Sequence, residues 1–291
     1  MSKFRVEIVR VVTEKHPNAD SLSVAMVFGW SCVVRTADFS GVPLGAYIPP
    51  DSLVAPARPE FAFLATKAKP YTDGQVRVRI SAARFRGVKS QGLLLPAKPG
   101  WAAGQDVAEE LGVTHYEPPI QMWGPQAATD AEAAPATLAG APKYDVENWR
   151  RYRSLFRPGE PVMVTEKIHG ASARYAWREG RLWVGSRNSW KKDAPGSPWW
   201  IAARRHIEIS MFCEANQDCL LYGEVYGMVQ SLRYGATPQD PVRFAAFDVM
   251  RDGSWVPASE ARDRLAGSSV PCVPLVHSGP YDEAVLEVLA D

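Results

Sequence analysis

Apolar and polar positions alternate over short stretches through the first part of the chain. Phe4–Val12, Leu22–Trp30, Val33–Thr36, Ala46–Ile48, Val76–Ala83 and Gly92–Leu95 each carry the two-residue period of a strand with one face buried. Gly and Pro punctuate them, as in the turn sequence His16-Pro17-Asn18-Ala19-Asp20. Residues 1–122 are therefore expected to form a small β-barrel. Gly124–Pro142 breaks the pattern with eight alanines, three prolines and no aromatic residue. Residues 123–143 are expected to be a flexible Ala/Pro-rich linker.

Beyond the linker, Pro161–Glu166, Ala171–Trp177 and Leu182–Ser186 read as strands, with Glu179-Gly180 as a hairpin turn. Ser197-Pro198 starts a helix expected to run to Glu214. Leu220–Tyr226 and Val242–Met250 are apolar strands, and two short helices follow. Residues 144–291 are expected to be an α+β domain on antiparallel sheets.

Composition changes this picture little. The 291 residues suit two modest domains, and 46% apolar content excludes global disorder. The net charge is only +1, so an anion-binding surface must be local. One such region is Lys67–Lys98, with eight Lys/Arg against the single acid Asp73. That excess suits phosphate contact. Cys32, Cys213, Cys219 and Cys272 show no zinc spacing and are expected to be inert thiols in a reducing cytoplasm. No apolar run reaches the roughly 20 residues of a membrane span, so a cytoplasmic protein without membrane association is expected, and a monomer.

The chemistry centres on Glu166-Lys167-Ile168-His169-Gly170, a lysine at the end of an apolar strand, followed by a glycine that admits close approach. Alone, such a four-residue pattern arises by chance in about one chain in ten. For a lysine to attack phosphorus it must lose its proton, which costs roughly 4 kcal/mol at neutral pH for an ordinary amine. Cations nearby lower that cost. The reaction therefore also needs carboxylates, basic groups and an aromatic platform. These follow in order: Ser186-Arg187-Asn188, then Glu224 between Gly223 and Gly227, then Phe247 in Phe244–Val249.

In this order the motifs resemble the covalent lysine nucleotidyltransferase superfamily of ATP-dependent ligases and capping enzymes. More narrowly, the chain resembles the Deinococcus-type ATP-dependent RNA ligases, in which an OB-fold domain precedes the adenylylation domain and K-x-H-G replaces K-x-D-G. Lys167-Ile168-His169-Gly170 matches that variant. The resemblance implies ATP as substrate, Mg2+ or Mn2+, and an RNA or RNA-containing duplex as partner. Lys167 would form the lysyl-adenylate. Glu166 would reach the adenine amino group, and His169 and Gly170 would complete the nucleotide loop. Arg187 would contact ribose and the RNA end, Glu224 the ribose hydroxyl or a metal through water, and Phe247 would stack on adenine. Asn188 and Arg233, the latter in Val229–Gly235, would face nucleic acid. His16–Leu22 and Arg86–Leu95 resemble tRNA-binding OB domains, and the basic region between Lys67 and Lys98 offers Lys67, Lys69, Arg84, Arg86 and Lys89 for RNA phosphates. Tyr144–Asn148 would either pack over the nucleotide or start a helix capped by Asp145.

The family's late Glu-Gly and Lys-x-Lys motifs have no match in the 44 residues after Phe247. Truncation of the chain is one expectation, and a degenerate RNA-binding homologue without sealing activity is the other. A GTP-dependent capping guanylyltransferase is a third reading.

Overall fold

The computed structural model describes residues 4–71, 73–116 and 130–289. They divide into two compact units, one holding 4–116 and 147–152, the other 130–146 and 153–289. Glu147–Tyr152, expected with the second domain, thus groups with the first. Among the described residues no helix is long and apolar enough to cross a membrane.

The first unit is built from short antiparallel ladders. Glu7–Arg10 and Leu93–Pro96 flank Leu44–Ile48. Thr13–Lys15, Leu22–Val27 and Trp30–Arg35 form a meander. A four-stranded sheet includes Ser52–Val54 and Val76–Arg79, and Ala83–Phe85 pairs with Val88–Ser90 as a hairpin. The expected barrel does not close: among the described residues these remain four separate sheets. Pro49-Pro50 shows one reason, since Pro lacks the N–H a continued ladder needs, and the chain changes sheet there. Val6, Ile8, Ala46, Ile48, Val54, Phe61, Val78 and Leu111 fill one of the two cores between them.

The two segments that resemble tRNA-binding domains meet in this unit. Asn18 N–H donates to Nδ1 of the buried His16, whose Nε2–H is therefore left to donate to the Phe85 carbonyl. Asn18 Nδ2 donates to the Arg86 carbonyl. The turn thereby fixes the tip of the basic hairpin, where Arg86 and Gly87 both have positive φ. Lys67, Lys69, Arg84, Arg86 and Lys89 are all exposed. Arg84 and Lys89 are direct cross-strand partners, a like-charge pairing that is unfavourable until an anion shares it.

The second unit is a seven-stranded antiparallel sheet in the order Ala131–Glu132, Trp190–Lys191, Arg181–Ser186, Ala171–Arg178, Cys219–Gly227, Val242–Arg251, Ser254–Trp255. One face, with Tyr175, Val184, Leu221, Val225, Phe244 and Val249, is covered by helices. The helix expected over 198–214 is broken at His206 into Pro198–Arg205 and Ile207–Ala215. Trp199, Ala202 and Ala203 pack from the first piece, and Ile209, Phe212 and Cys213 from the second. The break lets both pieces follow one twisted sheet. A separate ladder pairs Pro161–Thr165 with Leu275–Pro280. The four cysteines are free thiols, and burial pushes that of Cys32 up to about 12.

The expected linker differs most. Residues 123–129 of it lie outside the described residues, but 130–142 are bound to the sheet. Ala131–Glu132 pairs with Trp190–Lys191, Asp130 pairs with Lys191, and Glu132 with Arg181. Leu138 is 1% exposed in a cluster with Trp183, Trp190, Tyr222 and Met250. Arg174 donates to the Ala141 carbonyl and the Tyr222 hydroxyl to that of Pro142. A single leucine among alanines supplies the apolar contact that a wide hydrophobic face would otherwise give. Leu138→Ala is expected to cost about 2–4 kcal/mol in denaturant unfolding, as for a buried core leucine. A flexible linker would instead show a change within roughly 0.5 kcal/mol.

Candidate nucleotide site

Three local features set the lysine motif. The ladder of Pro161–Thr165 shifts register between Val164 and Thr165, so the strand is re-aimed just before the motif. Glu166 N–H donates to the Pro274 carbonyl, which holds the strand end. Ile168 is 7% exposed and packs with Ala245 and Val273, so the apolar residue points inward while Lys167 and Glu166 stay exposed.

Gly170 fixes the depth at which this loop sits. A Cβ there would lie 2.3 Å from the Val225 carbonyl oxygen and 3.0 Å from Cγ of Glu224. No side chain fits that approach, so glycine lets the motif backbone rest directly on the strand Cys219–Gly227. Gly223 does the same for the next strand, with a Cβ position 2.3 Å from the Phe244 ring.

Glu224 faces the motif. Burial pushes its carboxyl up to about 7, while the charge of Lys167 and the Gly170 N–H hold it from rising further. The carboxylate and the lysine therefore share one electrostatic site, as the sequence order suggests. Ser172 lies directly across the ladder from Glu224.

Phe247 lies on the same face as Ala245, two residues on, and sits at a bulge. Tyr222 pairs with Asp248 and Gly223 with Ala246, leaving Phe247 without a cross-strand partner. Its ring packs on the Ile168 cluster, which Tyr226 and Tyr234 also join. Its ring centroid lies 4.5 Å from that of Tyr144, whose hydroxyl donates to Asp248. Burial raises the pKa of both Tyr144 and Asp248.

Arg187 follows the strand Arg181–Ser186 and pairs with Asp145 at 3.0 Å. The Tyr144–Asp145 segment thus packs on this face and does not cap a helix. The turn into Trp149–Tyr152 is bonded by Asn148, whose side-chain oxygen accepts the Arg150 N–H. Asn188 is exposed in the Ser186–Ser189 turn. Arg233 is exposed in a loop that returns to the motif: Tyr234 accepts the His169 N–H at 2.7 Å, and Ser231 Oγ lies 3.3 Å from His169 Nε2. The exposed cations of the first unit belong to a different compact body. Sequence reasoning assigned no role to Tyr226, Tyr234, Ser172 or Arg243, because strand alternation alone does not say which polar residues share a face with Lys167.

Among the described residues no three His, Cys, Asp or Glu side chains gather as a metal cage. One carboxylate near an exposed lysine instead suits a metal that brings most of its ligands as water and phosphate oxygens, as Mg2+ does. The donor set therefore fits a metal–nucleotide complex.

The raised carboxyl gives a pH prediction. The folded state holds the Glu224 proton more tightly than the unfolded chain, whose value is near 4.5. The stabilisation is complete below that value and is lost as pH rises through about 7. Carboxyl NMR should show Glu224 titrating near 7, and higher in Lys167→Met. Glu224→Gln should lose less stability than the wild type between pH 5 and 8. Parallel stability curves would contradict the assignment.

A scan of family models matches residues 160–291 to RNA ligase and residues 5–97 to an OB-fold domain. No curated protein matches the chain. Several solved structures do. A lysine-to-alanine mutant of Naegleria gruberi RNA ligase with ATP and Mn superposes with a TM-score of 0.82 at 24% identity, over 99% of this chain and 88% of that one. A lysine-to-methionine mutant with AMP and Mn gives 0.80 at 24%, over 99% and 88%. The same ligase with PPi gives 0.80 at 23%, over 99% and 88%. The chain thus carries an RNA ligase domain over residues 160–291, preceded by an OB-fold domain over residues 5–97.

Proposed function

We propose that the protein is an ATP-dependent RNA ligase that joins 3′-hydroxyl and 5′-phosphate ends through a lysyl-AMP intermediate on Lys167. The observation that carries this reading is the shared site of Lys167 and Glu224, with Gly170 pressed on the same strand. The similar Naegleria structures hold ATP, AMP, PPi and Mn, the molecules such a cycle uses.

In the first step the Lys167 amine attacks the α-phosphorus of ATP, a P–N bond forms and pyrophosphate leaves. A divalent cation bound with the triphosphate would neutralise the leaving group. Glu224 would hold it through water, or the ribose hydroxyl. Glu166 and His169 flank the nucleophile and would orient adenine and phosphate. Phe247 offers an aromatic face for the base. Arg187, now on Asp145, is the cation that can turn to ribose or to the RNA end. In the later steps AMP passes to the 5′-phosphate, and the 3′-hydroxyl expels it. Arg84, Arg86, Lys89, Lys67 and Lys69 would hold RNA phosphates on the OB-fold domain, and Asn188 and Arg233 would meet nucleic acid beside the lysine. A reducing cytoplasm suits four free cysteines.

Incubation with α-labelled ATP and Mg2+ or Mn2+, followed by a denaturing gel, should leave label on the wild type and none on Lys167→Ala. GTP should not replace ATP. Equal labelling of the variant would overturn the assignment, and RNA binding with no covalent nucleotide would favour a non-catalytic homologue.

A further inference from the structure

The loop between Gly227 and Val242 is tied down at both of its ends and in the middle. Arg243 Nη1 donates to the Tyr234 carbonyl at 2.9 Å, and its Nη2 to that of Gly235 at 3.4 Å. Arg243 Nε in turn donates to Asp240 at 3.1 Å, and Asp240 also pairs with Arg205. Met228 N–H donates to the Pro241 carbonyl. These bonds hold Tyr234 at φ +47°, a left-handed backbone that a bulky side chain adopts only under constraint.

That constraint aims one group. The Tyr234 ring packs edge-on against Tyr226, with centroids 5.4 Å apart, and on the Ile168 cluster. Its hydroxyl then accepts the main-chain N–H of His169 at 2.7 Å. His169 stands two residues after Lys167 in a stretch that belongs to no strand. Tyr234→Phe would take from this part-buried N–H the acceptor it has in the structure.

We infer that Tyr234 is a positioning residue for the nucleophile: by accepting the His169 N–H it fixes the backbone that carries Lys167 against Glu224. The inference rests on the proposed lysyl-AMP chemistry for its kinetic consequence, but not for its structural one. Ile168 pins the motif from below and Gly170 sets its depth; Tyr234 limits its remaining sideways freedom. A nucleophile held near its attack geometry loses rate, not substrate affinity, when that hold is relaxed.

Tyr234→Phe removes the acceptor and keeps the ring. Amide hydrogen exchange of the peptide spanning Lys167–Gly170 should become faster by about tenfold, the worth of one such hydrogen bond. The maximal rate of lysyl-AMP formation should fall by about tenfold or more, with the ATP concentration for half-maximal rate changed by less than about twofold. Unchanged exchange overturns the inference, as does an unchanged rate in a protein that labels. If the wild type takes no label, the proposed function fails, and the exchange result alone decides the role of Tyr234.

Discussion

The approach of Gly170 to the strand Cys219–Gly227 is the contact on which the rest of the site depends. Backbone meets backbone there, within a distance that any Cβ would break. That closeness puts Glu224 beside Lys167, and the same strand carries Tyr226, which packs on Tyr234. The site face is thus one side of a strand whose other side, through Leu221 and Val225, is the centre of the helix-covered core. The core and the candidate site share nine residues of chain.

Around this contact, irregular features supply direction. A register shift precedes Lys167, and a bulge leaves Phe247 without a cross-strand partner. Left-handed Tyr234 is held by Arg243. Each departs from regular ladder geometry at the site, where local strain tends to be tolerated because the surroundings fix it. Polar groups are handled with similar economy. Arg174, 6% exposed, gives a hydrogen bond to Ala141 and lies over the Trp190 ring at 4.5 Å. The segment before the domain is thereby fastened where Tyr144 meets Phe247 and Asp145 meets Arg187.

Much of this was legible in the chain. Strand alternation located Ala171–Arg178, Cys219–Gly227 and Val242–Arg251, because one face of each must be apolar against the helices. Lys167, Arg187, Glu224 and Phe247 were singled out by their order and by a family resemblance, and the structure brings Glu224 to Lys167 and Phe247 to the Ile168 cluster. What stayed hidden depended on tertiary geometry. A two-residue period passes over a bulge, so it could not show that Phe247 and Asp248 break step. The run 130–142 looked unstructured because its anchors, Lys191, Arg181, Arg174 and Tyr222, lie 33 or more residues away in sequence. The barrel expected over 1–122 was inferred from strand count, and strand count does not decide closure.

On the proposed reading, the Gly170 approach positions Lys167 for nucleotide transfer. The most direct measurement is the rate of covalent AMP attachment to Lys167 in Gly170→Ala, read by peptide mass mapping in protein first verified as folded. AMP is expected on Lys167 in the wild type, with a loss of about a hundredfold or more in the variant, the scale expected when a reacting group is displaced by about 1 Å. A variant that charges Lys167 within about twofold of the wild type, or a wild type that carries AMP on another lysine, would contradict it.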